Sequence, residues 1–253
     1  VFDAIKRTYK NSLKPADSMF NIYLARPMAA IVVVYLAKTR VTPNQVTLFS
    51  ITPMVAGLAA WMTMDGHWGL WLGVIGVELA YILDCADGQL ARVTGRTSVV
   101  GGELDFMLDE IKAYLLIGAL TVRWVVIERG GLDALYVGLS TLVVLGAALS
   151  LTKFVRTPEY AEATGTHRQT HGQSAGAAHA RKGPLWPIEM SARLISQYPV
   201  CLPIFALFDR MDLFVWAYGV VHILYAGQMG LKVSLALGRF APRDHQSGDE
   251  EKS

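Results

Sequence analysis

Cysteine is almost missing from this chain: Cys85 and Cys201 are its two examples, too few for a disulfide framework and without the spacing of a zinc site. Both are read as ordinary small residues, with Cys85 directed away from its neighbours Asp84 and Asp87. Charged residues are scarce as well, at 17% of the chain, and a net charge of +2 is too small to point to nucleic acid as a partner. No internal repeat of the kind found in many transporters is visible. His167, His171 and His179 fall in a stretch rich in Gly, Ala and Gln, where no cysteine or acid cluster completes a metal site; they belong to a solvated loop. No cleavable signal peptide is visible, and the first residue is Val, the mark of a trimmed start.

What the chain has in quantity is apolar length. With 53% hydrophobic residues and a mean hydropathy of +0.34, it is expected to be an all-α, polytopic membrane bundle of one domain. Within an N-terminal region of residues 1–40, residues 1–16 form a basic arm carrying Lys6, Arg7, Lys10 and Lys14, solvated or on the membrane surface. An interfacial juxtamembrane helix follows over about 18–37, because the apolar run from Met28 to Ala37 is too short to cross roughly 30 Å of hydrocarbon. Residues 41–238 hold six expected transmembrane helices, over about 45–64, 68 into the acid-rich stretch, 101–127, 132–151, 191–208 and 212–235. Thr42 and Pro43 are suited to cap and open the first of them. The polar break at 157–187 is a loop, and the charged tail at 239–253 is expected to be disordered. Six spans place both termini on one side. Of the 23 Lys and Arg residues, all but Arg123, Arg129, Arg210 and Lys112 then fall on or near that side, which makes it cytoplasmic.

Against this background four acids stand out: Asp84 and Asp87, then Asp105 and Asp109. Three- and four-residue spacing puts each pair on one face of a helix, and the antiparallel pairing of the second and third spans would bring the two faces together. Four converging carboxylates at membrane depth repel one another and call for a cation. Oxygen donors suit Mg²⁺, Mn²⁺ or Ca²⁺, with open positions for phosphate oxygens. Gly88 and Ala91 leave room for a nucleotide against the backbone, and Arg92 is placed to meet a phosphate or a neighbouring acid. Glu78, six residues before Asp84, is read as a hydrogen-bonded structural acid, and Lys112 as the one-turn partner of Asp109.

Asp84, Asp87, Gly88, Ala91, Arg92, Gly101, Asp105 and Asp109 match every fixed position of D-x2-D-G-x2-A-R-x8-G-x3-D-x3-D. The chain thereby resembles the CDP-alcohol phosphatidyltransferase family, and Thr42-Pro43-Asn44-Gln45-Val46-Thr47 resembles the segment before that family's first span. The resemblance implies an integral membrane transferase of phospholipid synthesis that moves a phosphatidyl group from CDP-diacylglycerol to a small alcohol or phospho-alcohol and releases CMP. It implies two Mg²⁺ or Mn²⁺ ions on Asp84, Asp87 and Asp105, with Asp109 touching a metal while serving as general base. Gly88, Ala91, Arg92 and Gly101 would flank the nucleotide, and Thr47 would approach the cytosine.

Two readings of Lys153 and Arg156 stand side by side. They resemble a basic segment that holds the phosphate of a phosphorylated acceptor, or they are helix-end charges that meet lipid headgroups. The motif binds the shared CDP part, so transfer of phosphocholine or phosphoethanolamine to a lipid alcohol stays open. A divalent-cation transporter is the alternative from another class. A homodimer in the cell membrane, facing the cytoplasm, completes the expectation.

Overall fold

A computed structural model of the chain describes residues 2–12, 20–164 and 197–237. Among these residues all regular structure is helical. Helix α1 spans Phe2–Ser12. Helix α2 begins as a π-turn over Asn21–Ala25 and continues as an α-helix over Arg26–Leu36. The long helices are α3 (Pro43–Thr63), α4 (Gly66–Thr94), α5 (Val99–Val126) and α6 (Gly131–Val155). A short α7 (Pro158–Thr164), α8 (Tyr198–Leu207) and α9 (Met211–Leu237) complete the set.

The start of α3 follows the sequence closely. Thr42 accepts the Gln45 amide through its hydroxyl at 3.4 Å, and the Gln45 side chain accepts the Thr42 amide at 2.9 Å. This reciprocal capping satisfies two of the free amides of a helix start, while Pro43 at the first position lacks the amide that would need a partner.

Four helices, α3, α4, α6 and α9, are long and apolar enough to cross a membrane. Helix α5 is 28 residues long, but its acids and Lys112 keep it outside that group. Helix α8 has 10 residues, a rise of about 15 Å, and the earlier part of the expected 191–208 span lies outside the described residues. So do His167, His171, His179 and the tail from 239. The expected arm contains a helix held by contact: Tyr9 of α1 donates to the Ile22 carbonyl at 3.0 Å and ties α1 to α2. Helix α2 buries Ala25, Arg26, Ala29, Ala30, Val33 and Val34 and exposes Tyr23, Leu24, Met28, Ile31 and Tyr35, the two-faced pattern of an interfacial helix.

Missing side chains let α3 and α4 approach. A Cβ on Gly57 would come within 2.9 Å of the Gly76 Cα, and one on Gly76 within 2.6 Å of the Pro53 carbonyl oxygen. One turn away the fully buried Trp61 lies flat against Gly73 and donates its indole N–H to the Leu70 carbonyl at 2.8 Å. The indole thus buries a large apolar surface without losing its hydrogen bond. At the same end Arg123 of α5, also buried, bonds the carbonyls of Trp61 and Met64 at 3.4 and 3.3 Å and pairs with Glu128 at 2.8 Å. These contacts fasten α5 to the end of α3 far from the acids.

Candidate active site

The last turns of α4 carry Asp84, Asp87, Gly88, Ala91 and Arg92. Gly95 ends the helix in the left-handed region at φ 67°, a conformation in which a side chain would be strained. Three residues later Ser98 caps α5 by accepting the Gly101 amide at 3.0 Å. This short turn delivers Asp105 and Asp109 back toward α4. The two halves of the motif come together as expected, through side chains rather than close backbone packing of α4 on α5. Helix α3 packs against both α4 and α5, whereas those two make few direct backbone approaches. Their acidic side chains meet across the space between them.

Asp84, Asp105 and Asp109 offer oxygens that all lie within 4.8 Å of one another. Asp84 is nearly buried, while the Asp109 side chain is 54% exposed. Asp87 takes a different position: it is 5% exposed, lies outside that group of three, and accepts a hydrogen bond from the Thr47 hydroxyl. Thr47 is itself buried, with its oxygen 3.1 Å from the Pro43 carbonyl. The first turn of α3 therefore positions the second acid of α4, a contact spanning 40 residues that local spacing does not reveal.

A pocket of about 170 Å³ opens beside Asp87. Thr47, Gly88, Ala91, Arg92 and Gly101, all expected to flank a nucleotide, line it together with Asp87 and Asp105. Asp105 is common to the pocket and the acid group, so the two are continuous. Asn44, Arg96, Thr97, Ser98 and Gly102 also line it; spacing arguments missed these. The Thr42 to Thr47 segment was the available signal for Asn44, and the cap position for Ser98. Two arginines here can donate to phosphate oxygens, and the glycine-lined floor lets a flat group approach the backbone.

Lys112 pairs with Asp109 as expected and departs from expectation in having a closer partner, Asp84. Its side chain is 0% exposed, and its ammonium contacts both oxygens of Asp84, lying 3.9 Å from Asp109. The stronger partner is thus the acid on the other helix, because a buried ammonium needs the closest carboxylate it can reach. Glu78 also departs from expectation: its Oε1 is buried without a hydrogen-bond partner. Six residues before Asp84 is not close to a whole number of helical turns, which keeps Glu78 off the face that carries Asp84. Lys153 is exposed. The Arg156 guanidinium sits 4.5 Å over the Phe106 ring, one residue beyond Asp105.

The family profile described as CDP-alcohol phosphatidyltransferase matches residues 40–180, more than half of the chain, and the chain belongs to that family. Two of its relatives are an archaetidylinositol phosphate synthase of Aeropyrum pernix and a phosphatidylinositol phosphate synthase of Corynebacterium glutamicum. The first is 35% identical over 105 residues, covering 42% of this chain and 52% of that protein. The second is 31% identical over 130 residues, covering 51% of this chain and 56% of that protein. The chain thus spans about half the length of the curated relatives it matches.

Proposed function

We propose that this chain transfers a phosphatidyl-type group from a CDP-linked lipid to a hydroxyl of an inositol phosphate, releasing CMP. The observation that carries the reading is the continuity of the three-acid group with the pocket through Asp105. Both relatives are named for inositol phosphate lipids, which favours that acceptor over serine, free inositol or glycerol phosphate.

An all-oxygen donor set of this spacing fits a hard divalent cation, Mg²⁺ or Mn²⁺. Asp84, Asp105 and Asp109 would hold it, with Asp87 contributing from the pocket side; a second ion is part of the same reading. Such ions supply positive charge against a pyrophosphate. In the step itself an acceptor oxygen forms a bond to the lipid-bearing phosphorus, and the bond from that phosphorus to CMP breaks. Asp109 takes the proton of the acceptor hydroxyl. Its exposure leaves one side open to an incoming alcohol, as general-base work requires. Gly88 and Gly101 leave space for the nucleotide, while Arg92 and Arg96 are placed for its phosphates.

Arg156, held on Phe106 beside Asp105, is assigned to the acceptor phosphate with Lys153. The six-span topology, the cytoplasmic site in the cell membrane, the division at residues 40 and 238 and the homodimer belong to the same proposal. An acceptor panel with CDP-diacylglycerol tests it. CMP release should be greatest with inositol phosphate, and Lys153→Ala with Arg156→Ala should raise the acceptor KM at least tenfold. Unaltered acceptor affinity in that double variant would remove the phosphate-pocket assignment.

A further inference from the structure

Of the lysines among the described residues, Lys112 alone is buried. It lies one turn beyond Asp109 on α5, deep enough that solvent does not reach its side chain, and next to Ala113 and Leu116 of the hydrophobic core. Its ammonium addresses two of the three carboxylates that converge, Asp84 from α4 and Asp109 from its own helix. An ammonium without nearby carboxylates would be strongly destabilised at such a position. Equally, a fixed positive charge this close to the acids reduces their attraction for any further cation.

We propose that Lys112 is a positioning residue that sets the cation affinity of the acid group: it holds Asp84 toward Asp105 and Asp109 as an internal counter-charge, and it weakens divalent-cation binding there. This rests on the metal reading above and adds a specific role for a side chain outside the family motif.

The test is Mn²⁺ binding by electron paramagnetic resonance, paired with thermal melting of the full chain in detergent with EDTA and with Mn²⁺. Lys112→Met should bind Mn²⁺ at least tenfold more tightly than the wild type, because one like charge in direct contact with the ligands is gone. It should melt lower than the wild type in EDTA, with the difference closing as Mn²⁺ is added. Lys112→Arg keeps the charge and should retain near wild-type affinity. In an Asp84→Asn background the effect of Lys112→Met should fall below threefold. Lys112→Gln carries the same expectation should the methionine variant not fold. Equal or weaker Mn²⁺ affinity in the folded neutral variants would overturn the role of Lys112. A wild-type protein that takes up no Mn²⁺ would overturn the metal reading itself, and this inference with it.

Discussion

Gly101→Ala separates the needs of the site from the needs of the fold. Gly101 lies in the first turns of α5, where alanine is intrinsically favoured over glycine by up to about 1 kcal/mol. A Cβ there would stand 2.9 Å from the Ser98 hydroxyl oxygen and 3.0 Å from the Asn44 side-chain oxygen, each several tenths of an ångström inside ordinary contact. Ser98 caps α5, and disturbing a cap costs about 0.5–2 kcal/mol. Propensity and cap therefore nearly cancel, and the melting temperature should change little. The pocket fares differently, because Ser98 and Asn44 both line it and both have to move. We expect CMP affinity, measured by calorimetry in detergent, to fall about tenfold, on the order of 1.4 kcal/mol. Gly118→Ala on the same helix meets nothing within 4 Å and should leave affinity unchanged. A Gly101→Ala protein with CMP affinity within twofold of wild type would refute the assignment of this wall to the nucleotide.

Two further substitutions test the elements that hold the site in place. Gly73→Ala would overlap the buried Trp61 indole, and overpacking together with disturbance of the Trp61 hydrogen bond should cost about 2–4 kcal/mol, read as a lower melting temperature; an unchanged melt would contradict the packing of α3 on α4. Thr47→Val removes the hydroxyl that Asp87 accepts and should cost about 1.5–3 kcal/mol, whereas Thr47→Ser should stay close to wild type; equal melts for the two variants would show that this hydrogen bond contributes nothing.

Much of the site was legible in the sequence because its residues follow helical spacing. The motif placed Asp105 and Asp109 one turn apart, and the pocket does gather Thr47, Gly88, Ala91, Arg92 and Gly101. The cap at Thr42 and the opening proline could be read for the same reason: they act within four residues. Contacts between elements could not be read this way. Lys112 and Asp84 are 28 residues apart, and Thr47 and Asp87 are 40 apart, so partner choice there depends on how α3, α4 and α5 pack. Spacing offered Lys112 only its one-turn neighbour Asp109. Arg26 is a further case: the packing of α2 on α4 buries it and directs its carbonyl to the Gln89 side-chain amide at 3.1 Å.

The central claim is that Asp109, on the open side of the acid group, accepts the proton in a CMP-releasing transfer. Its most direct test is CMP release by the purified protein in lipid with Mg²⁺ or Mn²⁺, given CDP-diacylglycerol and inositol phosphate, beside Asp109→Asn. The account predicts release that requires the acceptor and falls by at least a thousandfold in the variant while the fold persists. Asp109→Asn releasing CMP at the wild-type rate, or a wild-type rate indifferent to the acceptor, would contradict it.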